Sequence, residues 1–232
     1  MFNRVVTVVL VLSLAACAAP RPRRTAPQLP SSGGTSLLAL PAPGEYQIDS
    51  DNSELRLLVY RAGPLARLGH NHVMVNRAVT GRAQIADSIA ATSFSLKLPA
   101  AAFAVDDAES RAEEGEDFPG DIPEDAKAGT RRNMLSAAVL NAAEFPDITV
   151  SSVSLSGTLQ AVTADLEISA AGHHSKISAP LTLQGDAHHL VAIGSMELRQ
   201  TALGLAPYSL MGGALQVQDA MQMKFKITLL MN

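Results

Sequence analysis

Aromatic residues are scarce in this chain: they make up 4% of its 232 residues, and tryptophan is absent. Any core or pocket must therefore be formed mostly by aliphatic side chains, which favours apolar contents over stacked rings. Basic charge is also lacking, because acidic residues outnumber basic ones and the formal net charge is −4. Without a basic field or stacking aromatics, we expect no nucleic acid among the partners.

Cysteine occurs once, at Cys17, so no disulfide can form within the chain. Before it stand Arg4 and an almost unbroken apolar run over residues 5–14. The run is typical of an export signal, and it is too short for a membrane-spanning helix, which needs about 20 apolar residues. The tetrad Leu-Ala-Ala-Cys at residues 14–17 resembles the lipobox of bacterial lipoproteins, in which the cysteine is acylated and becomes the mature N-terminus.

We therefore expect residues 1–17 to be a lipoprotein signal peptide and Cys17 to carry acyl chains such as palmitate, which would attach the protein to a membrane. Ala18 in place of Asp resembles the pattern of lipoproteins sorted to the outer membrane, with the protein facing the periplasm. Six prolines and a Ser-Ser-Gly-Gly run in residues 18–44 predict a flexible tether. The alternative is an ordinary secretory signal with an incidental cysteine.

Alternating apolar and polar residues dominate the rest of the chain and predict strands with one buried face. Glycine-containing turns separate several of these segments, which indicates closely spaced antiparallel strands in a barrel or a sandwich. The predicted strands cover residues 54–61, 93–98, 148–159, 162–169, 177–183, 189–198 and 221–229.

One stretch departs from the strand pattern. Residues 106–125 are acid-rich and contain Pro-Gly, which predicts a surface loop or a frayed helix whose charges are simply solvated. Residues 126–143 are rich in alanine, carry apolar residues at helical spacing and precede Pro146. They predict a helix that caps one end of the barrel.

Three segments share a pattern with one known family. The first is Leu-Gly-His-Asn-His-Val at residues 68–73, with Val-Thr-Gly at residues 79–81. The second and strongest is the helical end, Phe-Pro turn and strand start over residues 133–150. The third is Leu-Gly-Leu-Ala-Pro-Tyr at residues 203–208, followed by Gly-Gly and the last strand. Together these segments resemble the YceI-like family of lipocalin-like barrels, over essentially all of residues 46–232.

That resemblance implies an all-β, mostly antiparallel, lipocalin-like β-barrel with a short helical insertion over residues 45–232. It also implies that the barrel binds a long apolar isoprenoid lipid with a polyprenyl or quinone-like tail, and we expect no other cofactor. The candidate lining residues are apolar residues of the strands, their connections and the helical stretch: Val73, Phe94, Leu96, Phe103, Met134, Leu140, Ile148, Val150, Leu166, Ile168, Met223 and Phe225.

His70 and His72 stand two residues apart on a predicted strand, so both imidazoles would project from one face, about 6.5–7 Å apart. That spacing suits one metal ion, with a third ligand recruited from the other histidine pairs at residues 173–174 and 188–189. The alternative is that both histidines are buried or hydrogen-bonded structural residues, and on balance we expect no metal.

Catalytic motifs are missing: the sequence has no Gly-x-Ser-x-Gly elbow, no His-Glu-x-x-His helix and no Gly-rich phosphate loop between a strand and a helix. We therefore expect a binding protein rather than an enzyme. Three functions stay open, namely isoprenoid lipid binding, metal binding through the histidine pair, and a filled, ligand-free barrel that serves as a tethered interaction module. The sequence leaves the oligomeric state open.

Overall fold

The computed structural model describes residues 41–120, 122–186 and 188–232. Cys17, the predicted signal peptide and residues 18–40 of the predicted tether lie outside the described residues. Within the described ranges, no helix has both the length and the apolar composition needed to cross a membrane.

Over the described residues the fold is all-β and antiparallel, with two short α-helices. Every strand predicted from alternation is confirmed, within a few residues at most ends, and shorter strands are added between them. The strands are β1 (Gly44–Ile48), β2 (Glu54–Ala62), β3 (His72–Asn76), β4 (Thr80–Ile85), β5 (Ser93–Pro99), β6 (Ala104–Val105), β7 (Asp147–Thr158), β8 (Ala161–Ala170), β9 (His173–Gly185), β10 (His189–Arg199), β11 (Ser209–Leu210) and β12 (Leu215–Met231). The helices are α1 (Ala108–Ala112) and α2 (Glu124–Leu135).

Eight strands close into a barrel in the order β1-β4-β5-β7-β8-β9-β10-β12, and β1 returns to pair with β12. The closing pairs run from Tyr46 opposite Met231 to Ile48 opposite Leu229. Closure leaves no free edge along this circle. The same side of β12 also pairs with β2, which continues through β3 to β6 and forms the wall at the other end of the barrel.

The predicted tether is wrong at its C-terminal end. Gly44 already belongs to β1, and Pro41 is buried against the barrel. The hydroxyl of Tyr46 donates a hydrogen bond of 2.9 Å to the carbonyl oxygen of Ala42, which holds this segment in place. Proline composition alone could not distinguish these residues from the rest of the predicted tether.

The predicted helix over residues 126–143 is also corrected, since α2 begins at Glu124 and ends at Leu135. It begins directly after Pro123, with Glu124 and Asp125 in the first turn, where negative charge favours a helix N-terminus. Ser136 is extended, and Asn141 has a positive φ of 43°. Residues 136–145 are therefore turns rather than further helix.

The acid-rich segment is not simply solvated, and this prediction was wrong. The Glu114 side chain is only 4% exposed, because it lies between Arg56 (2.7 Å) and Lys224 (2.5 Å) on β2 and β12. Phe118 packs with Leu58 and Val75 in a small cluster. Charge pairing and this apolar contact fasten the segment to the outer face of β2 and β3.

Candidate functional site

Two cavities lie end to end inside the barrel, with volumes of about 320 Å³ and about 130 Å³. Successive inward residues of the same strand separate them. On β7, Ile148 lines the larger cavity and Val150 the smaller, and on β12 Met221 and Met223 divide in the same way. We call the larger one the upper cavity and the smaller one the lower cavity.

The lower cavity is lined almost entirely by apolar side chains of β2, β4, β5, β7, β8, β9, β10 and β12, with Pro41 and a few residues of the connections between strands. Among the described residues around it, Thr92 alone carries a polar side chain. Buried Pro41 stands at this cavity together with Ile85 and Leu229. Aliphatic side chains and the two phenyl rings of Phe94 and Phe225 therefore form the wall, in keeping with the low aromatic content of the chain.

The upper cavity mixes an apolar floor with polar side chains. Its apolar members include Leu57, Phe103 and Leu203. Its polar members come from the ends of strands, from loops and from helix α2: Tyr60, Arg61, His70, His72, Thr130, Asn133, Gln200, Tyr208 and Gln216.

Helix α2 covers the upper cavity, as predicted. Ala126, Thr130, Asn133 and Met134 line it, and their spacing places them on one helical face. The guanidinium of Arg131 fixes the helix to the chain before β6, because it donates to the carbonyl oxygens of Phe103 (2.6 Å) and Ala101 (2.5 Å).

A buried cluster of charged and polar side chains, formed by His72, Asp106 and Arg111, adjoins the wall of the upper cavity. His72 Nδ1 lies 2.6 Å from Asp106 Oδ2, and the Asp106 side chain is 0% exposed. The other carboxylate oxygen accepts hydrogen bonds from the backbone N–H of Val73 (2.9 Å) and from Arg111 Nη1 (2.8 Å). Arg111 is itself buried and also donates to the carbonyl oxygen of Asn71 (2.7 Å).

These contacts decide the charge state of Asp106. Burial alone would raise the pKa of its carboxyl group, because desolvation disfavours the charged form. The hydrogen bonds from His72 and Val73, together with the charge of Arg111, outweigh burial and lower the pKa below its ordinary value. Asp106 is therefore a carboxylate at neutral pH, and an ionised carboxylate only accepts hydrogen bonds.

Comparison with known proteins decides the family. A sequence model of the YceI-like domain matches residues 46–229, most of the chain. The chain belongs to the YceI-like family. No curated protein sequence matches it.

Solved structures share the YceI-like fold at low sequence identity. BcnA of Burkholderia cenocepacia is similar with a TM-score of 0.59 and 11% identity, over 78% of this chain and 98% of that protein. A polyisoprenoid binding domain from Saccharophagus degradans, implicated in plant cell wall breakdown, is similar with a TM-score of 0.54 and 11% identity, over 81% of this chain and 98% of that domain.

The YceI-like barrel brings most of the predicted lining residues to the two cavities. Four of them line the upper cavity: Phe103, Met134, Leu140 and Ile148. Seven line the lower cavity: Phe94, Leu96, Val150, Leu166, Ile168, Met223 and Phe225. This is a finding about position, and their contact with a ligand stays a prediction.

Val73 is a correction, because it lines neither cavity. It is fully buried in the outer cluster with Leu58 and Phe118, beneath the acid-rich segment. Adjacent residues of a strand project to opposite faces, so His72 and Val73 cannot both face the lumen. Here His72 and Met74 face the upper cavity, and Val73 faces outward.

The histidine pair differs from its predicted geometry. His72 is the first residue of β3, whereas His70 lies in the loop before it, and their ring centroids are 6.2 Å apart. No group of three residues of the types that bind metal comes together in the described ranges. The third ligand that a metal site needs is therefore not supplied there.

Sequence reasoning missed Asp106, Arg111 and several cavity residues of the connection between β10 and β12. Leu203, Leu205 and Tyr208 line the upper cavity and belong to a segment that carries the family resemblance, so that resemblance was the signal available for them. Asp106 had no such signal, because a buried acid in an acid-rich run has the same sequence pattern as a solvated one.

Proposed function

We propose that this chain binds one long apolar isoprenoid-type lipid, with a polyprenyl or quinone-like tail, inside the barrel. The observation that carries the proposal is the apolar lower cavity. It adjoins the upper cavity, because successive inward residues of β7 and β12 line first one cavity and then the other. The polyisoprenoid binding domain from Saccharophagus degradans has the same fold and supports the same ligand class.

The physical basis is removal of apolar surface from water. An isoprenoid tail has no polar group along its length, so its affinity comes from buried area, at about 25 cal/mol per Å² before the costs of binding. A wall of aliphatic side chains supplies that area without directional bonds. Since Thr92 is the single polar side chain among the described residues around the lower cavity, that cavity suits an apolar tail, and the function we propose is binding rather than catalysis.

The test is direct binding by delipidated protein. Protein stripped of lipid by solvent extraction and refolded is mixed with a polyprenol of nine isoprene units, and the complex is counted by native mass spectrometry. We expect one lipid per chain, and a saturated fatty acid is the comparison ligand. Refolded protein that takes up no polyprenol would contradict the proposal and favour the tethered interaction module.

We further propose that the barrel is anchored through lipidated Cys17 to the outer membrane and faces the periplasm. The lipobox-like tetrad and the absence of any other thiol support this anchoring. In bacteria fed labelled palmitate, the wild-type protein should carry label and sediment with membranes, whereas the Cys17→Ser variant should carry none. Equal labelling of both proteins would refute the anchor.

A further inference from the structure

Two neighbouring loops carry half of the large apolar side chains that are exposed in the described part of the chain. Leu68 lies in the loop between β2 and β3 and is 63% exposed, and Met211, directly after β11, is 76% exposed. Leu210 at the end of β11 is exposed as well. We call these three residues the apolar rim. Apolar side chains that are grouped on a surface indicate an interaction site, whereas single ones are common anywhere.

Backbone contacts hold the two loops together. The N–H of Leu65 donates a hydrogen bond of 2.8 Å to the carbonyl oxygen of Ala214. Leu210 pairs with Leu215 between β11 and β12, and a Cβ atom on Gly69 would lie 3.0 Å from Cδ1 of Leu215. The loops are therefore neighbours, and the apolar rim is one region of the surface.

The upper cavity reaches the surface beside this rim. Most residues that line the cavity are buried or half-buried, and its exposed lining residues are Arg61, His70, Leu210 and Gln216. All four belong to the two loops or to the strand ends next to them. Leu210 is both a lining residue and a member of the rim, so apolar surface continues from the outside of the barrel into the lumen.

The charge of this region differs from that of the whole chain, whose formal net charge is −4. Residues 61–71 contain Arg61 and Arg67 and no acidic residue, and residues 203–218 contain no charged residue. Arg67 is exposed, and it forms no ion pair with any residue that the structure describes. An apolar rim beside a free arginine is complementary to a bilayer that contains anionic lipids.

We propose that the apolar rim and Arg67 dock the open end of the barrel on an anionic lipid bilayer. This inference rests on the proposed lipid-binding function and adds the surface from which the ligand is taken. A long isoprenoid lipid is held in membranes by its own apolar area, so its transfer through water is slow. A rim that enters the headgroup region lets the tail pass from the bilayer to the lumen without crossing water.

A second copy of the chain fits this region less well than a bilayer does. A two-fold contact places the same patch of each copy against the other, so the two Arg67 side chains would approach each other. Stable protein interfaces also bury about 800 Å² on each partner, whereas the rim consists of three side chains. The phosphates of an anionic bilayer supply the opposite charge instead.

The chain contains no tryptophan, so one introduced indole reports on the rim alone. Leu68→Trp and Met211→Trp place the indole on the two loops, and Val153→Trp, at an apolar residue of β7 that is 57% exposed, is the matched control. The full chains are mixed with phosphatidylglycerol vesicles whose acyl chains carry bromine, which quenches an indole inside the bilayer. We expect quenching and a blue shift of the emission for both rim variants and neither for Val153→Trp.

Two further changes, each made in Met211→Trp, separate charge from apolar contact. Arg67→Gln should lower the ratio of quenched to unquenched indole about fivefold on phosphatidylglycerol and leave it unchanged on phosphatidylcholine. Leu68→Asp should lower the ratio about tenfold or more on both lipids, because a leucine no longer enters the bilayer. Leu68 lines neither cavity, so Leu68→Asp should take up polyprenol more slowly but to the same final amount.

Uptake of polyprenol from the same vesicles is measured in parallel. Protein that takes up polyprenol while neither rim variant is quenched would overturn the docking inference and leave lipid binding in place. Equal quenching of Val153→Trp would overturn it too. A blue shift that grows with protein concentration without vesicles would overturn it in favour of a second copy. Protein that takes up no polyprenol would instead refute the proposed function.

Discussion

The phenyl ring of Phe225 occupies the space that a side chain at Gly194 would need. The two residues stand opposite each other on β12 and β10, and a Cβ atom on Gly194 would lie 2.6 Å from Cε1 of the ring. The same Cβ would lie 2.7 Å from the carbonyl oxygen of Pro180 on β9. Phe225 thus fills the gap left by a glycine and forms part of the lower-cavity wall.

Gly194→Ala should therefore destabilise the barrel by about 1–3 kcal/mol, because the added methyl group overpacks the wall. Adding Phe225→Leu should recover only part of that loss, since the Pro180 carbonyl still crowds the site. Urea unfolding of both single variants and the double variant measures the coupling. If the two single variants' changes in the free energy of unfolding simply add in the double variant, the packing of the Phe225 ring is independent of the residue at position 194.

The Asp106 carboxylate should make stability depend on pH. Its folded pKa is lowered, so the stabilisation is complete above the unfolded value of about 3.9 and is lost as pH falls through the folded value. Asp106→Asn should cost about 3–5 kcal/mol at pH 7, because it leaves Arg111 buried without its counter-charge.

The same variant should lose less stability than the wild type between pH 5 and pH 2, a window of about three units around the unfolded pKa. Thermal unfolding across this range checks both statements. Asp51→Asn, at an exposed position, is the control and should behave like the wild type. If Asp106→Asn follows the wild-type pH profile, the carboxylate is not a source of acid sensitivity.

Zinc should not stabilise the protein through the histidine pair. Replacing His70 and His72 by alanine should lower stability by about 1–3 kcal/mol with or without zinc, because the hydrogen bond to Asp106 is lost in both cases. Calorimetric zinc titration of wild type and the double variant separates the alternatives. Tight one-to-one binding that disappears in the double variant would restore the metal interpretation.

The sequence predicted the barrel well because its strands alternate over long runs and hydrophobic burial enforces that pattern. β7 shows where alternation fails. Pairing shifts between Ser152 and Ser154, so Val153 is 57% exposed and Leu155 points into the lower cavity. A bulge of this kind adds one residue to the strand, so the inward-facing positions change from even-numbered to odd-numbered residues of β7. Nothing in the local sequence indicates it.

The polar part of the site was less predictable. Asp106 has a φ of +54°, an unusual conformation for a residue other than glycine, and its partners come from β3 and α1. Such a group depends on tertiary contacts between segments, whereas periodicity describes only one segment at a time. Glu114 was misjudged for the same reason, because its cationic partners lie on β2 and β12.

Two neighbouring residues of β7 offer a matched pair of variants for the proposal that the lumen holds an isoprenoid lipid. Val150 lines the lower cavity, whereas Thr149 is exposed on the opposite face. Val150→Glu should empty the barrel, because a carboxylate facing the tail would be left without solvent. Thr149→Glu adds the same charge on the outside and should leave the contents unchanged.

The decisive measurement is the isoprenoid lipid extracted per mole of folded protein after expression in a bacterial envelope, quantified by mass spectrometry. Circular dichroism first establishes that both variants are folded. We expect about one lipid per chain for the wild type and Thr149→Glu, in keeping with small barrels that hold a single ligand, and almost none for Val150→Glu. A wild-type protein without isoprenoid, or a folded Val150→Glu variant that retains the wild-type amount, would show that the lumen does not bind this lipid.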